Sequence, residues 1–252
     1  MGKVGNTITS ENTWKKYFFC FADFFFPPQC VLCRKFLLAD RAGYFCKDCF
    51  DSISLNNSPI CPRCGMMFES KEGGDHFCSR CIGWSPFFDM ARSVSIYEGM
   101  LRKAIHFFKY NNKSMLAAPL GKLLSVYGVR RLSIKEYELI MPVPLHPRRL
   151  RQRGFNQSLV LARKAARAWG KKVSAESLKR LRWTTPQTDL SEKQRRKNVK
   201  GAFSCREEAV RGKKILLIDD VYTSGSTVNE CARVLKSQGA LKVAVLTLAR
   251  TR

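Results

Sequence analysis

The 252-residue sequence predicts an α/β fold: a parallel sheet flanked by helices and preceded by a small cysteine-rich module. Two observations carry this reading. Ile215–Ile218 is a continuous apolar run, as expected of a strand buried on both faces; a helical pattern and the apolar run Lys242–Leu248 follow it, which makes a βαβ unit. Upstream, eight of the eleven cysteines fall into four C-x-x-C pairs.

The elements follow in chain order. Tyr17–Phe26 is an aromatic run behind Lys15 and Lys16, with Asp23 inside it and Pro27-Pro28 after it. It lacks the leucine-rich centre and small-residue cleavage site of a signal peptide, so a short amphipathic helix is expected, with docking on a membrane surface as the alternative. No stretch is long and apolar enough to span a bilayer. Ala91–Tyr97 reads as a strand and Glu98-Gly99 as a turn. Met100–Lys109 carries Leu101, Ala104, Ile105 and Phe108 at helical spacing, and a second helix covers Met115–Tyr127. Leu139–Val143 is a short strand stopped by Pro144. Asn156 caps a helix running through Ala168 to Gly170. Val228, Cys231, Ala232 and Leu235 mark one face of the helix after Ile215–Ile218, and Gly239 ends it. The expected division is an N-terminal segment 1–29, a metal module 30–87 and an α/β domain 88–252.

The cysteine pairs are Cys30/Cys33, Cys46/Cys49, Cys61/Cys64 and Cys78/Cys81, separated by 12, 11 and 13 residues. A C-x-x-C turn presents two thiolates on one side of a tight knuckle, half of a tetrahedral zinc site. Eight thiolates make two structural Zn²⁺ sites. The simplest pairing joins neighbours: Cys30, Cys33, Cys46 and Cys49 on one ion, Cys61, Cys64, Cys78 and Cys81 on the other. Spacing leaves a crossed pairing open. Disulfides would need an oxidising compartment, and no secretion signal points to one. His76 reads as a loop residue. Cys20, Cys205 and Cys231 read as small buried hydrophobes.

The charge is strongly positive. Forty-five Lys and Arg against 20 Asp and Glu leave +25, which favours a polyanionic partner. Between His146 and Lys200, 17 basic residues face three acids, so +14 lies in under a quarter of the chain.

The stretch ILLIDDVYTSGSTV, from Ile215 to Val228, places chemistry on the predicted sheet. Ligands of open α/β sheets bind at the carboxyl ends of the strands. There, Thr223, Ser224, Gly225, Ser226 and Thr227 form a hydroxyl-rich bend at a helix N-terminus, suited to a phosphate. Asp219 and Asp220 would repel that phosphate unless they face sugar hydroxyls or Mg²⁺. The combination points to a sugar phosphate with free vicinal hydroxyls.

Ile215–Thr227 resembles the phosphoribosyl-pyrophosphate (PRPP) motif of type I phosphoribosyltransferases. The four knuckles, Pro142-Val143-Pro144-Leu145, Arg153-Gly154-Phe155-Asn156-Gln157, the stretch Thr185-Pro186-Gln187 to Asn198, and Gly201-Ala202-Phe203 together resemble the ComF family, in the family's order. The resemblance implies a type I phosphoribosyltransferase-like domain behind a double zinc ribbon. It implies that Asp219 and Asp220 hold the ribose hydroxyls of PRPP, directly or through Mg²⁺, and that Thr223–Thr227 cradle the 5′-phosphate. It also implies that Pro144-Leu145 approach the pyrophosphate, that Lys109 contacts an anion, and that the basic loop Arg148–Arg153 and the segment Gln187–Asn198 form a mobile cover. The reaction implied is transfer of phosphoribose to an unidentified acceptor, in the cytoplasm and in the service of DNA uptake with other DNA-processing proteins. The alternative is a non-catalytic competence factor that binds single-stranded DNA, with Phe155, Trp169, Trp183 and Phe203 interleaved among the basic residues.

Overall fold

A computed structural model describes residues 27–37, 45–70, 72–110, 114–184 and 191–252. The run Tyr17–Phe26 with Cys20, and residues 185–190, which include 187–190 of the expected cover, lie outside the described residues. The chain divides into two compact units, 1–50 and 51–252.

In the first unit the Cys30/Cys33 knuckle closes on itself. The Cys30 N–H donates to the Lys35 carbonyl and the Arg34 N–H to the Cys30 carbonyl, with Arg34 at φ +66°. Cys46 precedes, and Cys49 lies within, the short helix α1 (Lys47–Asp51). The second unit begins with a repeat of this design. The Cys61 N–H donates to the Met66 carbonyl and the Gly65 N–H to the Cys61 carbonyl. Gly65, at φ +69°, takes the place of Arg34, and a Cβ there would lie 2.6 Å from the Ala91 carbonyl oxygen. Cys78 and Cys81 flank the start of α2 (Ser79–Gly83).

Both cysteine sets fit zinc. A tetrahedral ion with Zn–S bonds of about 2.3 Å separates its sulfurs by about 3.8 Å. The Sγ–Sγ distances are 3.8 Å for Cys30–Cys49, 3.6 Å for Cys33–Cys46 and 3.7 Å for Cys64–Cys78. Within each set the four sulfurs lie inside 4.8 Å of one another. Neighbouring knuckles therefore bring their four sulfurs together, as the simplest pairing expects. His76 takes no part; it stacks on Phe68, and its Nδ1 lies 3.0 Å from the Gly74 carbonyl oxygen.

The rest of the second unit is the α/β body. Its elements are β1 (Met90–Ile96), α3 (Gly99–Tyr110), α4 (Ala117–Arg131), β2 (Leu139–Pro142), α5 (Pro147–Arg153), α6 (Gln157–Trp169), β3 (Leu178–Arg180), α7 (Glu192–Val199), β4 (Phe203–Cys205), β5 (Lys214–Tyr222), α8 (Ser226–Ser237) and β6 (Lys242–Arg250). The main sheet has the order β1-β6-β5-β2 with every pairing parallel. Ile215 and Leu217 join Val228, Cys231 and Leu235 of α8 in one core cluster. Side chains alternate along a strand, so Leu216 and Ile218 face the other side, where α6 packs on β5 and α4 on β6. All four are fully buried, which is why this strand reads as an unbroken apolar run.

Several expectations are met at their physical causes. Asn156 caps α6, its Oδ1 accepting from the Ser158 and Leu159 N–H groups, and Gly170 closes the helix in the left-handed region at φ +63°. Others need correction. The basic segment expected as a loop is the helix α5: Pro147 is preset for the first turn, His146 Nδ1 accepts from the Arg148 N–H, and Gly154 at φ +78° ends it. Residues 192–199 of the expected cover are also helical, started by a capping box between Ser191 and Gln194. The central strand runs on to Tyr222, because β6 stays paired with it past the acids, with Asp219 opposite Thr247. Cys231 is buried, but Cys205 is partly exposed on β4, in the antiparallel β3–β4 pair.

Metal analysis of the full chain should find two zinc ions. Cys30→Ser and Cys61→Ser should each remove one, and a count well below two in the unsubstituted chain would contradict the two-site arrangement.

Candidate functional site

A crevice of about 700 Å³ opens at the carboxyl ends of β2, β5 and β6. From β5 and the bend after it come Asp219, Asp220, Thr223, Gly225 and Thr227. Pro144 and Leu145 follow β2, Lys109 ends α3, and Arg153 ends α5. These expected residues therefore share one cavity. Ser224 and Ser226 do not line it. Both are buried, and their hydroxyl oxygens lie 2.8 Å apart, so they brace the bend from beneath.

The two acids are held differently. Asp219 Oδ1 accepts from Ser158 Oγ at 2.7 Å and from the Asp220 N–H at 2.9 Å. Asp220 Oδ2 forms a 2.8 Å ion pair with Lys109 Nζ, both side chains largely buried. Lys109 thus meets a carboxylate where the sequence reading gave it a ligand anion. Burial, then the adjacent Asp220 charge, pushes the Asp219 carboxyl up to about 7, against the opposing pull of Ser158 and Lys109.

Gly225 sits at φ +73° where the bend meets α8. A Cβ there would fall 2.3 Å from the Tyr222 hydroxyl, so only glycine lets the bend lie on that ring. The first turn of the twelve-residue α8 begins at the next residue, which aims the positive end of its dipole at the crevice.

The crevice gathers more cations than the motifs identify. Arg149 of α5, Arg180 of β3 and Arg195 of α7 join Lys109 and Arg153 along its wall. Burial pulls the Arg149 and Arg180 guanidinium groups below their ordinary range, and neighbouring arginines add to this. Three buried donors at this wall lack a hydrogen-bond partner among the described residues: Gln157 Nε2, Arg180 Nε and Arg195 Nε. Gln157 is only 1% exposed, and its Oε1 accepts from Arg153, so its amide N–H₂ is left over. Unsatisfied buried donors are uncommon and call for an acceptor-rich occupant. Gln157 lies in the quoted RGFNQ stretch, and Arg149 in the basic segment, so both were within reach of sequence reasoning. Arg180 gave no local signal; the β3–β4 pairing, Leu178 opposite Cys205, carries it in.

The interleaved aromatics separate into two kinds. Phe203 is buried in the core, Phe155 packs on Phe108, and Trp169 Nε1 donates to the Ser125 carbonyl. Trp183 remains partly exposed, with Arg148 and Arg149 over its ring and His146 at its edge.

A parallel sheet with this strand-end bend, behind paired four-cysteine knuckles, defines a phosphoribosyltransferase-type domain with a double zinc ribbon. Family models agree: the chain matches one described as a double zinc ribbon domain over residues 21–82 and one described as a phosphoribosyl transferase domain over residues 156–252. It is 36% identical to the DNA utilization protein YhgH of Salmonella typhimurium over 228 residues, which are 89% of this chain and 98% of that protein. Competence protein F of Haemophilus influenzae is 32% identical over 90% of this chain and 98% of its own length. Competence protein ComFC of Bacillus subtilis is 28% identical over 88% and 91%. The chain belongs to the ComF family.

The raised Asp219 carboxyl sets a pH dependence. Its folded-state pKa of about 7 exceeds the ordinary 3.8, so between these values the folded chain holds a proton that the unfolded chain has lost. That contribution to stability is full below about pH 4 and disappears as pH rises through 7. Asp219→Asn keeps an oxygen for Ser158 and carries no charge. It should raise the melting temperature at pH 8 by several degrees, at about 2–4 °C per kcal/mol, and change it little at pH 5. Thermal unfolding at the two pH values checks this; equal effects at both would contradict it.

Proposed function

We propose that the crevice binds PRPP with Mg²⁺ and that the protein is a phosphoribosyltransferase, transferring a pentosyl group to an acceptor during the handling of incoming DNA in the cytoplasm. The observation that carries this reading is the pairing of two opposite features in one cavity. Unpartnered donors of Gln157, Arg180 and Arg195, with Lys109, Arg149 and Arg153, suit a polyphosphate. Asp219 and Asp220 beside them suit the ribose hydroxyls and a hard cation. Relatives named for DNA utilization and competence support the biological setting.

Asp219 and Asp220 would hold the ribose 2′- and 3′-hydroxyls, and the bend Thr223–Thr227 the 5′-phosphate, through its N–H groups and the hydroxyls of Thr223 and Thr227. Ser224 and Ser226 act by fixing the backbone. Pro144 and Leu145 border the pyrophosphate, which faces Arg149, Arg153, Arg180 and Arg195. The carboxylate oxygens of Asp219 and Asp220 form an all-oxygen donor set that fits Mg²⁺, which when bound neutralises charge on the ligand oxygens. As the C1–pyrophosphate bond breaks, negative charge grows on the leaving group, and fixed guanidinium groups stabilise it without reorganising. The acceptor's lone pair closes the new bond at C1, and its proton passes to solvent or to the departing pyrophosphate. Helices α5 and α7 carry the arginines at the rim, where they would limit the entry of water.

A second reading has Trp183 in its favour. A partly exposed indole flanked by Arg148 and Arg149 can stack a nucleobase while the arginines hold a phosphate, as a single-strand binder requires. The same surface suits a DNA acceptor, so both activities are compatible.

Calorimetry with PRPP and Mg²⁺ should show one site per chain. Asp220→Asn and Gly225→Ala should each weaken binding at least about tenfold, or about 1.4 kcal/mol. Pyrophosphate release in an acceptor screen should disappear in both variants. Absence of PRPP binding, together with strand binding that is steeply salt-dependent, survives Asp220→Asn and falls in Trp183→Ala, would replace the transferase by the second reading.

A further inference from the structure

The second cysteine set is wired into the bend that would hold the phosphate. Three successive carbonyls of its first knuckle accept hydrogen bonds from the body. Pro62 accepts from Arg92 Nη1 at 2.9 Å, Arg63 from the Ala91 N–H at 2.7 Å, and Cys64 from Arg250 Nη1 at 2.6 Å. Arg92 and Arg250 are themselves buried. Two routes then reach the bend. Arg80, between Cys78 and Cys81 in the second knuckle, donates from Nη2 to the Ser224 carbonyl at 2.5 Å. Arg250, anchored on Cys64, lies over the Tyr222 ring at 5.1 Å, and that ring is the floor on which Gly225 rests. Trp84 has both Arg80 and Arg196 of α7 over its ring, at 5.3 and 4.4 Å, which links the ribbon to the rim helix as well.

A five-residue α2 cannot hold a guanidinium in place alone. Isolated helices of this length are unstable in water, and few buried side chains support it other than its own Cys81. The sulfurs of Cys61, Cys64, Cys78 and Cys81 lie close enough to share one ion, which would fix the position of α2.

We propose that the second zinc centre sets the geometry of the Thr223–Thr227 bend, with Arg80 as the positioning residue, so that metal occupancy and ligand binding at the strand ends are coupled. Its consequence for ligand affinity rests on the function proposed above; the mechanical link does not. Loss of zinc from Cys61, Cys64, Cys78 and Cys81 releases Arg80 and the Cys64 carbonyl, and the bend loses its outer support while β5 stays in the sheet. Because coupling is reciprocal, a ligand that needs the ordered bend must in turn slow the departure of this one ion.

Hydrogen–deuterium exchange on the full, zinc-loaded chain tests the link without any ligand. Arg80→Ala should retain both zinc ions and speed exchange at amides 223–227 about tenfold, while Leu216–Ile218 remain unchanged; Arg80→Lys, which keeps one donor, should recover much of the protection. Should Arg80→Ala shed the second zinc, Arg250→Gln takes its place, breaking the Cys64 contact from the body's side. Unaltered exchange at 223–227, or equal acceleration throughout the sheet, would overturn the proposal. A chelator-release assay adds the reciprocal arm: saturating PRPP and Mg²⁺ should slow the loss of one of the two zinc ions at least threefold in the unsubstituted chain and not in Arg80→Ala. If PRPP fails to bind at all, the transferase reading falls while the exchange result still decides the link.

Discussion

Two ionisable carboxyls on consecutive residues at the tip of a buried strand are an electrostatic burden. Burial and the adjacent Asp220 charge both disfavour ionisation of Asp219, and the chain commits Ser158 to Asp219 and Lys109 to Asp220. The apolar packing of β5 is made by Ile215–Ile218 and Tyr222 on either side of them, so the acids add nothing to it. The same crevice holds Arg149 and Arg180, whose burial also works against their charge, and the Gln157 amide, which finds no acceptor among the described residues. Each group is costly alone. Together they suit the guest proposed above, a diol joined to several phosphates. A site built in this way gives up some stability of the empty protein in exchange for recognition.

The zinc ribbons answer a different constraint. Small modules with few aliphatic residues cannot bury enough apolar surface to order themselves, and metal supplies the difference. Ordering alone would not require the second ribbon to be held through three consecutive carbonyls by Arg92, the Ala91 N–H and Arg250. The docking makes that ribbon part of the wall behind the bend, so folding energy from thiolate coordination reaches the ligand site through a short chain of hydrogen bonds.

Local chemistry was legible in the sequence, and long-range assembly was not. Regular C-x-x-C spacing marked the knuckles because each is a closed turn, while which knuckles join is set by the fold. Asn156 and Gly170 marked α6 because caps act within one turn. Asp219, Asp220 and Gly225 announced the site because strand, acids and bend are contiguous. The helix α5 was missed because Pro147 followed by arginines reads as a loop, while its cap comes from a histidine, an uncommon choice. Ser224 and Ser226 looked like ligand groups, but the bend turns their hydroxyls toward each other. Arg195 came with the segment Gln187–Asn198 expected as a cover, whereas Arg180 reaches the crevice from a segment whose sequence carries only charge. Arg80 lies 144 positions from its acceptor, a distance over which no pattern in one sequence operates.

The most direct test of the central claim is a crystal structure of the full chain with PRPP and Mg²⁺. The account predicts the 5′-phosphate against the N–H groups of Thr223–Thr227, the ribose hydroxyls at Asp219 and Asp220, and pyrophosphate oxygens within hydrogen-bond reach of Gln157 Nε2 and Arg180. A ligand seated elsewhere, with that donor set still unpartnered, would contradict it.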